Sequence, residues 1–227
     1  MQAKNEKTVK NIFSSPMKRQ DGTLPLWRID EAPVPYADAI ATMEEYAHTL
    51  IQEGAPERVW MLSHPHVYTL GTSAHASHIL RADVPAVATG RGGQVTYHGP
   101  GQLILYPILD LRARTKDLRA YVWALEEWLI LTLDAFGIDA QRREGRVGLW
   151  VTHMGQEKKI AAIGVRVRGW VAFHGAALNI DPDLSYFQGI VPCGLSQFGV
   201  TSMTEILGSI NENQISDTLR NKFDTIF

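Results

Sequence analysis

The chain is 227 residues long, 45% hydrophobic, and carries a formal net charge of −2. That is enough for one domain with a sizeable core, and the balance selects neither nucleic acid nor an anionic membrane as a partner. Cys193 is the single cysteine, which excludes an intramolecular disulfide and fits a reducing, cytoplasmic setting, and no apolar run approaches the ~20 residues of a membrane helix.

Residues 1–22 are polar and basic, with Lys4, Lys7, Lys10, Lys18 and Arg19, and lack the apolar stretch of a secretory leader. They are expected to form a flexible tail, with residues 23–227 as one domain. Residues 26–29 read as a short strand. Tyr36, Ile40, Met43, Ala47 and Leu50 recur at helical spacing, which predicts an amphipathic helix over 36–53, stopped by Gly54. Residues 59–62 and 67–70 read as strands around His64-Pro65-His66. The His-x-His spacing suits one strand face, but no cysteine or paired carboxylate accompanies it, so no metal site is expected.

The densest glycine region runs from Gly90 to Tyr106. Glycines there let backbone N–H groups approach a ligand closely, and Gln94, Thr96 and His98 alternate with Val95 and Tyr97 as on a strand with one polar face. The stretch looks like a pocket wall. Its Gly-x-Gly start lacks the third fingerprint glycine and a following helix, and no Gly-Lys-Ser/Thr occurs, so neither a dinucleotide fold nor a nucleotide P-loop is expected.

Residues 103–111 form a continuous apolar strand. Leu118, Val122, Leu125, Leu129, Leu133 and Phe136 then mark a long helix closed by Gly137. A β-rich block follows, with a strand over 147–151 and a polar turn over 155–158. Ile163, Val165 and Val167 alternate with Gly164, Arg166 and Arg168, and Gly169 joins this strand to one over 170–180 as a hairpin, interrupted at His174-Gly175. Ser202 and Glu205 form a capping-box pair, and Ile215, Leu219, Phe223 and Ile226 mark a last helix. Arg142, Arg143 and Arg146 are the densest basic cluster and a candidate docking patch for acidic partners.

Cys193 sits in Val191-Pro192-Cys193-Gly194, a constrained turn, which makes it a candidate nucleophile. A nucleophilic thiol needs a partner that favours thiolate. His98, His174, Lys158 and Lys159 all remain candidates on spacing alone.

Five ordered blocks carry a resemblance: His64-Pro65-His66-Val67-Tyr68-Thr69-Leu70-Gly71, the segment from Arg91 to Gln102 (Arg-Gly-Gly-Gln-Val-Thr-Tyr-His-Gly-Pro-Gly-Gln), Lys159-Ile160-Ala161-Ala162-Ile163-Gly164, Phe173-His174-Gly175-Ala176-Ala177-Leu178-Asn179, and Pro192-Cys193-Gly194. Together, from about Trp27 to about Met203, they resemble the lipoyl(octanoyl) transferases of the lipoate pathway. The resemblance implies an α/β (α+β) fold shared with biotin and lipoate protein ligases: a mixed β-sheet with helices on one side and a smaller second sheet beside it. It also implies octanoyl transfer from octanoyl-acyl carrier protein to a lysine of a lipoyl domain, on the E2 subunit of a 2-oxoacid dehydrogenase or on the glycine-cleavage H protein. No cofactor is implied.

By the same resemblance Cys193 carries the acyl group and Lys159 activates it. Lys158 is adjacent, but on a regular strand it points to the opposite face. The acyl chain and carbonyl are expected against Arg91, Gly92, Gly93, Gln94, Val95, Thr96, Tyr97 and His98, against Ala162, Ile163 and Gly164, and against Gly175, Ala176 and Ala177. Backbone N–H groups beside Gly164 and Gly175 are expected oxyanion donors, and His98 and His174 are expected to be scaffold. The alternatives are an ATP-dependent lipoate–protein ligase, which needs no Cys193, and a non-catalytic acyl or lipoyl-domain binder.

Overall fold

The structure is a computed structural model that describes residues 17–191 and 198–227. Its organisation follows from the longest apolar run in the middle of the chain. Strand β6 (Gln102–Asp110) buries Ile104, Tyr106 and Ile108 on one face and Leu105 and Leu109 on the other. A strand buried on both faces needs a layer on each side.

Helix α1 (Tyr36–Glu53) covers the first face with Ala39, Met43, Ala47 and Leu50, and ends at Gly54, whose φ of 67° is a left-handed cap. Helices α2 (Leu118–Asp134) and α4 (Glu212–Ile226) cover the second face with Leu125, Trp128, Leu129, Leu219 and Phe223. Helices therefore flank the sheet on both sides, which corrects the one-sided arrangement expected from the resemblance. The two apolar sets of β6 are the reason.

The main sheet adds β1 (Leu26–Ile29), β2 (Arg58–Leu62), β7 (Gln141–Arg143), β8 (Arg146–His153), β9 (Gln156–Arg168) and β10 (Val171–Asn179), in the order β1-β2-β6-β10-β9-β8-β7. β11 (Gly199–Val200) pairs with β9, leading into the short helix α3 (Met203–Leu207). Among the described residues, only β1–β2 and β9–β11 are parallel within it. A second sheet, β4-β3-β5, is built from β3 (Val67–Leu70), β4 (Ala86–Ala88) and β5 (Val95–His98) around Tyr68, Val95 and Tyr97.

The hairpin between β9 and β10 turns on Gly169 and Trp170, both with positive φ, the backbone of a two-residue hairpin loop whose twist matches its strands. The turn between β8 and β9 uses Met154 and Gly155, and β9 starts at Gln156, so Lys158 belongs to the strand and not to the polar turn expected there. Ser202 caps α3 as expected, accepting from the Glu205 N–H at 3.1 Å.

Residues 17–22, which composition assigned to a tail, are anchored. Met17 is buried and its carbonyl accepts from the Arg114 guanidinium at 2.7 Å, while the Arg19 N–H donates to the Phe227 carbonyl at 3.2 Å. Among the described residues no helix is long and apolar enough to cross a membrane.

Candidate active site

A cavity of about 280 Å³ opens between the two sheets, on the α1 side of β9, β10 and β6. That is near the lower end for small-ligand pockets. Its walls include Arg91, Gly93, Gln94, Val95, Thr96 and His98 from the glycine-rich stretch, Ala162, Ile163 and Gly164 from β9, and Gly175, Ala176 and Ala177 from β10. Lys159 lines it; Lys158 does not. Two residues expected at the wall lie behind it. Tyr97 points into the second sheet's core, its hydroxyl 2.8 Å from His66 Nδ1. Gly92 stitches the loop to β9, its N–H donating to the Val165 carbonyl at 2.9 Å. Cys193 lies outside the described residues.

The glycines have steric causes. Gly164 and Gly175 are direct partners across β9 and β10. A Cβ on Gly164 would sit 3.1 Å from the Gly92 carbonyl, and one on Gly175 would sit 2.2 Å from the Leu105 carbonyl. At Gly175 only glycine fits against the neighbouring strand, and at Gly164 a side chain would press on the glycine-rich loop.

Lys159 owes its place to a β-bulge. Trp150 pairs with Lys159, but Leu149 pairs with Ala161, so Ile160 is an extra residue on β9. Ile160 and Ala161 both enter the core under α2, and Lys159 is thereby returned to the face that carries Ala162 and Gly164. Without the bulge, strict alternation would put Lys158 there. Instead Lys158 pairs with Glu205 of α3 at 2.8 Å. Lys159 Nζ donates to the Val147 carbonyl at 3.1 Å and stands 4.7 Å from the centre of the Trp150 ring.

The Lys159 end is the open one, with Val147 exposed and Gly145 beside it. The opposite end is closed by Tyr36, Tyr106, His98 and His174, all buried. Sequence reasoning missed Tyr36 and Tyr106 because helical or strand periodicity marks them only as core. His174 reaches the cavity through backbone distortion. Its φ is 58°, and its ring stacks on that of Phe173 at 5.5 Å, which neighbours on a regular strand cannot do. Pro107 of β6, next to Gly175, lacks an N–H for the ladder at this point.

His64, His98 and His174 are held neutral. Burial pulls His64 and His174 down to about 4 and takes His98 well below the ordinary imidazole range. His64 donates from Nδ1 to the Val34 carbonyl at 2.6 Å and accepts from the Tyr106 hydroxyl at 2.7 Å. His98 Nδ1 donates to Gln102 Oε1 at 3.2 Å, and Gln102 Nε2 donates to Asn179 at 2.9 Å. The Arg91 guanidinium is spanned by carbonyls of Thr69, Gly92 and Gln94. The arginines expected as a docking patch are occupied within the chain. Arg142 pairs with Glu126 and Glu127, and Arg143 and Arg146 both pair with Glu157.

Segment 192–197 is bracketed by fixed points. Val191 donates to the His78 carbonyl at 2.8 Å; on the far side Val200 registers against Lys159, and the Thr201 N–H donates to the Lys159 carbonyl at 3.0 Å.

Comparisons with known proteins agree with this architecture. The family model of the lipoyl protein ligase A/B catalytic domain matches residues 35–224, past Met203 and into α4. An octanoyltransferase of Rhodopseudomonas palustris is 50% identical, over 96% of this chain and 95% of its own length. One of Parvibaculum lavamentivorans is 48% identical, over 93% and 97%. Among solved structures, a bipartite lipoate protein ligase from Thermoplasma acidophilum, studied with its E2 lipoyl domain, superposes with a TM-score of 0.67 at 17% identity, covering 89% of this chain and 84% of that one. Its likeness supports the fold. The family match over most of the chain and the identity to these relatives show that the chain belongs to the lipoyl protein ligase A/B catalytic domain family, and within it to the octanoyltransferases.

Proposed function

We propose that this acyltransferase moves an octanoyl group from the thioester of acyl carrier protein to a lysine of lipoyl domains, including those of 2-oxoacid dehydrogenase E2 subunits and the glycine-cleavage H protein. The reaction belongs to the cytoplasm, where both partners would be met. The observation that carries the reading is Lys159 at the open end of a pocket whose β9 and β10 wall is made of the small residues Ala162, Gly164, Gly175, Ala176 and Ala177, on the strand that pairs with β11.

Cys193 is the proposed nucleophile. A free thiol has a pKa near ~8.5 and is mostly protonated at neutral pH; a nearby ammonium favours the thiolate. The thiolate attacks the carrier thioester carbon, a new C–S bond forms as the carrier C–S bond breaks, and the leaving carrier thiolate takes its proton from Lys159, which is left as the free amine. The acceptor lysine, as free amine, then attacks the acyl-cysteine. The amide forms, the Cys193 sulfur leaves, and the amine proton passes to Lys159, which can accept it once its anionic partner has been acylated. The alkyl chain runs along Ala162, Gly164, Ala176 and Ala177, and N–H groups beside Gly164 and Gly175 are proposed to steady the carbonyl oxygen.

The test is a mass measurement. Incubated with octanoyl-acyl carrier protein and no acceptor, ATP or magnesium, the protein should gain one octanoyl group, and neutral hydroxylamine should remove it. Cys193→Ser should not turn over. Transfer at the wild-type rate by that variant, or an ATP requirement, would overturn the reading in favour of a ligase.

A further inference from the structure

The mechanism above gives no role to the buried side chain of Glu126. Glu126 projects from α2 toward β8, and its Oε1 accepts from the Gly148 N–H at 3.1 Å. The Val147 carbonyl, at the other end of that same planar peptide unit, accepts from Lys159 Nζ at 3.1 Å. One peptide is thus held between an anion on its N–H side and a cation on its C=O side. Chained hydrogen bonds polarise one another, so the carboxylate makes the carbonyl a better partner for the ammonium.

This peptide is fixed in orientation. Gly148 has φ of 107°, and a Cβ there would lie 2.6 Å from the Ala161 carbonyl. The carboxylate is fixed too. Its Oε2 accepts from Arg142 Nε at 3.0 Å, and Arg142 also donates to the Trp123 carbonyl and pairs with Glu127. Arg142 from β7, the Gly148 N–H from β8 and Lys159 from β9 all oppose the upward push that burial gives Glu126. Lys159 faces the Trp150 ring, which Arg146 also covers.

We infer that Glu126 is a positioning residue for Lys159, acting through the Val147–Gly148 peptide to hold the lysine as an ammonium at the pocket mouth. The catalytic consequence rests on the proposed role of Lys159; the coupling between the two side chains does not.

Only the free amine of a lysine reacts with acetic anhydride, so competitive labelling followed by peptide fragmentation reads the protonation of Lys159, with Lys158 as an internal reference. Glu126→Gln keeps an oxygen for the Gly148 N–H but removes the charge. Labelling of Lys159 at neutral pH should rise about three- to tenfold, the scale of one hydrogen bond, while Lys158 is unchanged. The pH profile of Lys159 labelling should move to lower pH. Glu127→Gln removes a neighbouring carboxylate that also pairs with Arg142 but does not reach the Gly148 N–H, and should not move the profile that way. If Glu126→Gln leaves the Lys159 profile in place, or both variants shift it alike, the inference is wrong. If Glu126→Gln shifts the profile but Lys159→Ala acylates normally, the coupling stands and the proposed role of Lys159 fails.

Discussion

Lys158 and Lys159 are adjacent in sequence and opposite in surroundings. Lys158 makes a surface pair with Glu205, of the kind worth about 1 kcal/mol or less. Lys159 lines the cavity, 3.5 Å from where a Cβ on Gly148 would sit. Lys158→Ala is therefore expected to acylate at nearly the wild-type rate. Lys159→Ala should fold and give a weaker octanoyl adduct at neutral pH that recovers as pH rises, because the thiol must then ionise without help. Intact-mass time courses at several pH values compare the two; a damaging Lys158→Ala beside a normal Lys159→Ala would reverse the assignment. Gly175 gives a second test at this scale. Its missing Cβ would lie 2.2 Å from the Leu105 carbonyl and 2.6 Å from Pro107 Cδ, and both belong to a central strand that cannot retreat. Gly175→Ala should destabilise by about 3 kcal/mol or more, at the upper end of overpacking effects, and lower the midpoint of thermal unfolding. An unchanged midpoint would mean that β6 and β10 are looser than their packing indicates.

At the scale of elements, what could be read in the sequence was whatever obeyed a period. Helix α1 emerges with its observed ends because Tyr36, Met43, Ala47 and Leu50 share a face and Gly54 ends it. The terminal helix emerges from Ile215, Leu219, Phe223 and Ile226, all buried in the core. What broke a period was not legible. Counting back by twos from Val167, Val165, Ile163 and Ala161 puts Lys159 on the core face, and only the extra residue at Ile160 turns it into the cavity. Composition gives no sign of that bulge; the resemblance of the Lys-Ile block supplied the residue without the geometry. His174 is a similar case. Its block was recognised, yet its positive φ beside Pro107 is what aims the ring. The helices on both faces were implicit in β6, since Ile104, Tyr106 and Ile108 alternate with Leu105 and Leu109, but each helix's side depends on contacts distant in sequence.

At the scale of the whole molecule, buried ionisable groups tie distant segments together and set how the fold responds to pH. Arg114 NH2 pairs with Glu57 at 2.6 Å, both side chains almost fully buried, while its NH1 donates to the carbonyls of Met17 and Phe227. Arg114→Met would leave the buried Glu57 carboxylate with only the more distant Arg19, at 3.7 Å, as a cationic partner, so a loss of up to about 3–5 kcal/mol is expected in denaturant unfolding. The histidines act in the acid direction. His64 and His174 are held at about 4 in the folded chain by desolvation, while in the unfolded chain a histidine titrates near ~6.5. The unfolded state therefore binds protons first as pH falls, and folding stability must decline from about pH 6.5 towards pH 4. Each ring contributes up to about 3 kcal/mol of that decline, from about 1.4 kcal/mol per pKa unit. His98, taken lower still by burial, adds in the same direction. Glu126, whose carboxyl is pushed up by burial, works the other way: the unfavourable effect of its charge lifts as pH falls through its raised value. It is one carboxyl against three imidazoles, so the histidines should decide the sign. Denaturant midpoints at pH 7, 6 and 5 should fall steadily. His64→Gln, which can still bond to the Tyr106 hydroxyl, should start from a lower midpoint at pH 7 but fall less steeply. A midpoint flat between pH 7 and pH 5, or an equal slope in His64→Gln, would show that these rings do not stay neutral in the fold.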